Sequence, residues 1–440
     1  MLKVEKSYVA VIQAGGKGTR LRELTKDNIP KPLLKLNNKP MIEWQMECLK
    51  RYGIREFVFI IGHLGDKIRE YFQDGKAWNV NISYIQETEP LGSAGALYYL
   101  KEKIQDRNFL LIFGDVMFDI DVRRMICFHE EKNGIATLLV HPNSHPQDSD
   151  LVVLDSEDRV TGFDSKHNVR DYWYDNCVNA GIYALSGNLL QQLEKPEKAD
   201  LEKDILFPLI PSGQIYGYRT PEYVKDAGTA ERFKKVEEEQ KKGIWKQKNL
   251  TNEQRCIFLD RDGTINCHKG LISNPEKLEL EPGAAEAIRL INASGYLAIV
   301  VTNQPVVARG MCQIEDVEEI HKKLVTLLGR GGAYLDDIVF CPHHPDKGYP
   351  EENPLYKMDC NCRKPKTGMI DVMVEKYHIC RENSWMIGDT TMDIQTGKNA
   401  GLKTVLVKTG EAGKDGKYAV EADVEASNIL EAIQTLLQGG

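Results

Sequence analysis

Cys256-Ile-Phe-Leu-Asp260-Arg-Asp262-Gly-Thr264 carries an apolar run of strand length into two carboxylates one residue apart. In an open parallel α/β sheet, ligands bind beyond the carboxyl ends of the strands, so this pair stands where chemistry belongs. One aspartate can attack as a nucleophile while the other moves protons. A divalent cation would offset their repulsion and screen an incoming phosphate. Three more strand ends bear polar groups in order: Thr302-Asn303-Gln304, Arg363-Lys364-Pro365, and Gly388-Asp389 with Asp393. Any one of them could be a polar strand end; four in series point to a candidate active site. Cys341-Pro-His343-His344 and Cys360-Asn-Cys362 add three thiols and an imidazole, donors suited to tetrahedral Zn²⁺. Four protein ligands leave no open position, so such a metal is structural and would hold the loop that ends in Arg363 and Lys364.

A second chemical centre lies near the other end of the chain. The apolar run Tyr8–Gln13 enters Ala14-Gly15-Gly16-Lys17-Gly18-Thr19-Arg20-Leu21, a glycine loop whose N–H groups can form an anion nest. The G-x-G-x-x-G dinucleotide pattern is not satisfied. Pro30-Lys31-Pro32 sets a lysine on a rigid loop, where its point charge suits a phosphate. Asp115 ends the run Phe113-Gly114-Asp115, and Asp226 sits in Lys225-Asp226-Ala227-Gly228-Thr229. Both are natural Mg²⁺ ligands.

The elements that must position these groups alternate regularly. Helical patterns at Met41–Tyr52, Leu64–Phe72 and Ser93–Lys103 interleave with strand patterns at Glu56–Ile61, Ile82–Gln86 and Phe109–Phe113. This rhythm predicts a parallel, doubly wound sheet with right-handed crossovers, followed from Ala136 to Leu185 by shorter, mixed strands. Glu231–Gln254 is dense in Lys, Glu and Gln and reads as a solvated helix leading into a linker. Alternation then restarts at Cys256, with helices expected at Pro282–Ser294, Ile314–Leu328 and Thr367–His378. Strands are expected at Leu297–Thr302, Asp337–Phe340 and Trp385–Gly388. The second half is thus a three-layer parallel α/β fold as well.

A 440-residue chain with 42% hydrophobic and 28% charged residues is an ordinary globular protein of two to four domains. A net charge of −8 argues against a general nucleic-acid or membrane-surface binder. With no membrane-length apolar run and no signal-peptide core, the cytoplasm is the expected compartment. The ten cysteines read as reduced thiols plus a metal site. Small-molecule substrates are the expected partners, and the oligomeric state is left open.

Residues 8–235 resemble the sugar-1-phosphate nucleotidyltransferase family through Gly-Gly-x-Gly-Thr-Arg-Leu and Pro-Lys-Pro. That resemblance implies a Rossmann-like (GT-A-like) mixed sheet. By it, Gly15, Gly16 and Arg20 embrace a triphosphate, with Lys31 beside the reacting phosphates. Gln86 and Gly92 contact the base, Lys166 and Asn179 meet the sugar phosphate, and Asp115 and Asp226 hold Mg²⁺. Residues 254–410 resemble the haloacid-dehalogenase-like phosphatases. By this second resemblance Asp260 is the nucleophile, Asp262 the acid and base, and Thr302, Asn303 and Lys364 bind substrate. Mg²⁺ would sit on the Asp260 carboxylate, the Asp262 carbonyl and Asp389, with Asp393 in support. The zinc loop resembles that of the D-glycero-D-manno-heptose 1,7-bisphosphate 7-phosphatases and of the histidinol-phosphate phosphatases. This implies His343 beside Cys341, Cys360 and Cys362 as ligands, and Arg363 and Arg309 as substrate contacts. Pro305 and Val306 depart from the Ser-Gly usual in that family. The expected organisation is a nucleotidyltransferase domain over 1–235, a charged helical linker over 236–253 and a phosphatase domain over 254–440. Together they would form a fused enzyme of nucleotide-activated heptose, with GTP as the favoured nucleotide.

Overall fold

A computed structural model describes residues 8–16, 18–346, 348 and 351–438; Lys17 of the glycine loop lies outside them. The chain forms two compact units. The first comprises Met1–His141, Asp150–Ser165 and Cys177–Asn249, and the second Pro142–Ser149, Lys166–Asn176 and Leu250–Gly440.

The first unit is built on a nine-stranded mixed sheet. Val9–Ala14 lies at its centre, parallel to Glu56–Ile61 on one side and Phe109–Phe113 on the other. Asn81–Gln86 extends the parallel part, whereas Val178–Leu185 joins Phe109–Phe113 antiparallel. The parallel strands are continuous apolar runs because helices or loops cover both faces, and Val9, Ala10, Val11 and Ile12 are all buried. The expected helices at Met41 and Leu64 form as Met41–Arg51 and Gly65–Phe72. Ser93–Lys103 does not become one α-helix: Gly95–Leu100 is a 3₁₀ turn, followed by a short α-helix at Lys101–Ile104. The chain at 197–199 presses on its start. Ala94 N–H donates to the Ala199 carbonyl at 3.0 Å, and a Cβ at Gly95 would fall 2.0 Å from the Glu197 carbonyl.

The charged stretch after Thr229 is more than a solvated connector. Helix Ala230–Lys241 buries Phe233 and Val236, an i, i+3 pair hidden among lysines and glutamates. Trp245 is buried as well, stacked on Tyr223 at 5.1 Å and edge-on to Trp44 at 5.6 Å. A few large apolar side chains on one stripe suffice to dock a helix whose average composition is polar.

The second unit carries a six-stranded sheet in the order 337–341, 296–303, 255–259, 385–388, 403–407, 424–426. Each of its pairings is parallel. Arg255–Leu259 lies between Tyr296–Asn303 and Trp385–Gly388, so the strand order reverses there and leaves a crevice at the carboxyl ends. The segment 166–176 packs in this unit on helix Ile314–Arg330. Tyr174 N–H donates to Thr326 Oγ1 at 3.1 Å, that hydroxyl donates back to the Tyr174 carbonyl at 3.1 Å, and Lys323 and Arg330 lie over the Trp173 ring. Among the described residues, no helix is long and apolar enough to cross a membrane.

Candidate active sites

Asp260 follows the last residue of the central strand of the second unit, where the reversal of strand order opens the crevice. Lys364 Nζ bridges Asp260 Oδ1 and Asp393 Oδ1, at 2.6 Å each. All three side chains are nearly closed to solvent, at 4%, 11% and 2% exposure for Lys364, Asp260 and Asp393. Asn303 fixes this lysine from behind: its Oδ1 accepts from Lys364 N–H at 3.0 Å, and its Nδ2 donates to the Lys364 carbonyl at 3.3 Å. Carboxylate oxygens of Asp260, Asp389 and Asp393 lie within 4.8 Å of one another.

Three buried acids thus face a single buried cation. Burial and the neighbouring acids push Asp260 up to about 7, against the pull of Lys364. Burial, then Asp260 and Asp393, push Asp389 up to about 8. Asp389 Oδ1 is buried with no hydrogen-bond partner. Its Oδ2 lies where side chains at Gly263 and Gly410 would be, 2.3 Å and 2.0 Å from the Cβ positions those residues lack. Excess negative charge, hard oxygen donors and an unsatisfied buried oxygen are what a divalent cation requires, so these residues fit one.

Asp262 points elsewhere. Arg261 Nη2 donates to its Oδ1 at 3.0 Å and its Oδ2 at 2.8 Å, Asn266 Nδ2 to Oδ1 at 3.0 Å, and Gln304 Nε2 to Oδ2 at 2.8 Å. Burial alone would raise its pKa, but the Arg261 charge and these hydrogen bonds outweigh it and hold the carboxyl below its usual range. Thr302, buried at the end of its strand, accepts from Gln304 Nε2 at 3.0 Å.

Cys341, His343, Cys360 and Cys362 converge as one group. The Sγ–Sγ distances are 3.5 Å for 341–360 and 3.2 Å for both 341–362 and 360–362, and His343 Nδ1 is 3.3 Å from Cys362 Sγ. A disulfide requires about 2.05 Å. Zinc–sulfur bonds of ~2.3 Å imply tetrahedron edges of roughly 3.7 Å, close to this spacing. His344 is not in the group; its ring faces Arg309 Nη2 at 3.4 Å. Arg363 donates from Nη1 to the His343 carbonyl at 2.9 Å, which ties the two arms of the loop together.

The first unit holds an open cleft of about 610 Å³, lined by Gly15, Gly16, Arg20, Lys31, Gly92 and Asp115 among others. Lys31 Nζ lies 2.5 Å from Asp115 Oδ2. Asp226 accepts from Gly228 N–H at 2.6 Å and pairs with Arg232. Ala227 N–H donates to the Asp115 carbonyl at 2.9 Å and so joins the two acidic strand ends. Carboxylates are the donors a hard cation takes, but here each acid is already matched by a cation of the chain.

Some expected residues lie apart from this lining. Gln86 is exposed at a strand end, with Nε2 donating to the Glu87 carbonyl at 3.2 Å. Asn179 is locked to Tyr183 Oη at 2.9 Å and Glu202 Oε1 at 3.0 Å. Lys166 opens the 166–176 segment of the second unit. Sequence reasoning passed over Glu87, whose carboxylate sits so close to Gly15 that a Cβ there would meet Oε2 at 2.1 Å. It also passed over Arg261 and His321: an arginine between two aspartates reads as filler, and a histidine inside a helix carries no motif.

Similarity to known proteins divides along the same line. The nucleotidyl transferase family matches residues 9–243, and the HAD-hydrolase-like family matches residues 361–432. The D-glycero-beta-D-manno-heptose-1,7-bisphosphate 7-phosphatase of Pasteurella multocida is 38% identical over 186 residues, which are 42% of this chain and 95% of that protein. Mannose-1-phosphate guanylyltransferase 1 of Arabidopsis thaliana is 35% identical over 225 residues, 50% of this chain and 61% of that protein. The UTP–glucose-1-phosphate uridylyltransferase of Synechocystis is 31% identical over 217 residues, 46% of this chain and 55% of that protein. The chain therefore spans somewhat over half the length of these two transferases. Both halves belong to enzyme families: through residues 9–243 the chain is a member of the nucleotidyl transferase family, and its second half belongs with the HAD-like heptose bisphosphate phosphatases.

Proposed function

We propose that the chain makes a nucleotide-activated heptose, with a phosphatase domain over 254–440 feeding a nucleotidyltransferase domain over 1–235, the two joined through 236–253. The second domain removes the 7-phosphate of D-glycero-D-manno-heptose 1,7-bisphosphate. The first joins the resulting heptose 1-phosphate to GMP from GTP and releases pyrophosphate. The reading rests chiefly on the near-complete coverage of a heptose bisphosphate phosphatase by a chain whose other half matches nucleotidyl transferases. One half makes a sugar 1-phosphate, which the other consumes.

In the phosphatase step, Asp260 attacks phosphorus, the bond to the sugar O7 breaks, and Asp262 gives that oxygen a proton. Asp262 then takes a proton from the water that hydrolyses the aspartyl-phosphate. Its ionised state in the free site is the one this second step uses. A dianionic phosphoryl group arriving beside it raises its proton affinity for the first step. Lys364 and Thr302 bind the phosphoryl oxygens, Asn303 sets the lysine, and Arg363 with Arg309 takes the 1-phosphate. Mg²⁺ on Asp260, the Asp262 carbonyl and Asp389, supported by Asp393, would supply charge neutralisation. Zn²⁺ on Cys341, His343, Cys360 and Cys362 would be structural.

In the transferase step, the sugar phosphate is itself the nucleophile, so no activating base is needed. Gly15, Gly16 and Arg20 bind the triphosphate, Lys31 lies at the reacting phosphates, Gln86 and Gly92 meet the base, and Asn179 meets the sugar phosphate. Asp115 and Asp226 would hold Mg²⁺, which neutralises charge on the nucleotide. The guanylyltransferase relative supports GTP, and GTP implies the α-anomer; the uridylyltransferase relative and the beta-named phosphatase are the competing readings. The test is a panel of GTP, UTP, CTP and dTTP with α- and β-heptose 1,7-bisphosphate, followed by mass spectrometry. GDP-α-heptose is the expected product, and no phosphate release from either anomer overturns the reading.

A further inference from the structure

Behind the proposed acid–base residue lies a polar chain that the reaction as described does not use. Arg261 is wholly buried, Gln304 is 2% exposed and His321 7%. Arg261 spends its guanidinium in three directions: Nη2 on Asp262, Nη2 again on Gln304 Oε1 at 3.0 Å, and Nη1 on His321 Nε2 at 3.2 Å. A guanidinium has no acceptor, so His321 Nε2 must offer a lone pair, and the ring is therefore neutral. The same logic orients the amide. Because Gln304 Oε1 accepts from Arg261, its Nε2 is the group that donates to Asp262 Oδ2 at 2.8 Å and Thr302 Oγ1 at 3.0 Å. His321 stands edge-on to Phe340 at 5.2 Å, which restrains the ring on helix Ile314–Arg330.

Each member has one arrangement that satisfies its neighbours. Asp262 cannot rotate without leaving a buried guanidinium donor unpaired, and Arg261 cannot move without losing His321. A buried unmet donor costs on the order of 1–3 kcal/mol, enough to keep the array in register.

We infer that Arg261, Gln304 and His321 are positioning residues that hold the Asp262 carboxyl in a single orientation for its proton transfer with the leaving-group oxygen, with His321 as a neutral anchor for Arg261. This rests on the proposed phosphatase reading, in which Asp262 protonates that oxygen. It carries a consequence that a general packing role does not. Protonation matters for an alkoxide leaving group and little for a stable phenolate, so misplacing Asp262 should damage one class of substrate selectively. General acid catalysis contributes roughly 10²–10⁴-fold.

The test compares kcat/KM, which reports on steps through leaving-group departure, for the heptose bisphosphate and for 4-nitrophenyl phosphate. Gln304→Leu and His321→Leu should lower the sugar-to-aryl ratio by at least about 10-fold. His321→Gln, which keeps an acceptor for Arg261, should restore the ratio to within about threefold. Equal losses on both substrates, or an unchanged ratio, would overturn the inference while leaving the phosphatase reading intact. If His321→Leu does not fold, the Gln304→Leu ratio and the His321→Gln rescue decide by the same criteria. An unmutated protein that cleaves neither substrate refutes the phosphatase reading, and the inference falls with it.

Discussion

The two candidate sites solve the same electrostatic problem in opposite ways. In the second unit Lys364, Asp260 and Asp393 are nearly closed to water, and their charges are matched against one another at 2.6 Å. In the first unit, the Lys31–Asp115 pair is 12% and 28% exposed, and Asp226 and Arg232 are 37% and 39% exposed. The difference fits what the two proposed reactions require of their sites. A carboxylate that attacks phosphorus gains from losing its hydration, and the transferred group is small enough to enclose. Nucleotidyl transfer brings its own nucleophile and a much larger ligand, so the protein contributes an open cleft, backbone donors and replaceable counter-charges.

The largest expected effect separates the sites outright. Asp260→Asn removes the proposed nucleophile, and phosphate release should fall on the order of 10⁴-fold or more. GDP-heptose formation from supplied heptose 1-phosphate should persist at its original rate. Loss of both activities in a folded variant would show that the two sites are not independent.

Next in size is the zinc loop. Metal analysis should find one zinc per chain, absent after Cys360→Ser. Losing several kcal/mol of metal-linked folding energy should lower the second unit's Tm by on the order of 10 °C, readable by calorimetry. An unmutated protein without zinc would remove the structural-metal proposal.

Lys31→Ala tests the other side of the comparison. Nucleotidyl transfer should drop roughly 10²-fold, as for loss of one preorganised charge contact, with phosphate release untouched. The smallest expected effect is that of Gly410→Ala. A Cβ there would fall 2.0 Å from Asp389 Oδ2, on a backbone with φ +60°. The Mg²⁺ concentration needed for half-maximal phosphatase activity should rise about 10-fold, as when a group that positions a metal ligand is disturbed. An unchanged Mg²⁺ requirement would mean that Asp389 does not hold the cation.

Much of this molecule was legible in its residues. Apolar runs ending in Asp260, Thr302 and Asp389 mark strands and a site together, because a buried parallel strand is continuous in hydrophobicity and its carboxyl end is not. Three thiols and an imidazole were legible as a metal set from their donor chemistry, whereas the choice of His343 over His344 came from the family resemblance alone. Tertiary structure alone decided which way side chains face and which partners they find. Asp262 turns away from the three clustered acids toward Arg261 and Gln304. His321, 60 residues from Arg261, completes that array from a helix. Residues 166–176 fold with the second unit although they precede it in sequence. A motif constrains neighbours along the chain, whereas hydrogen bonds and burial are settled between elements far apart in it. The kinds of chemistry could therefore be read from the sequence, and their geometry only from the fold.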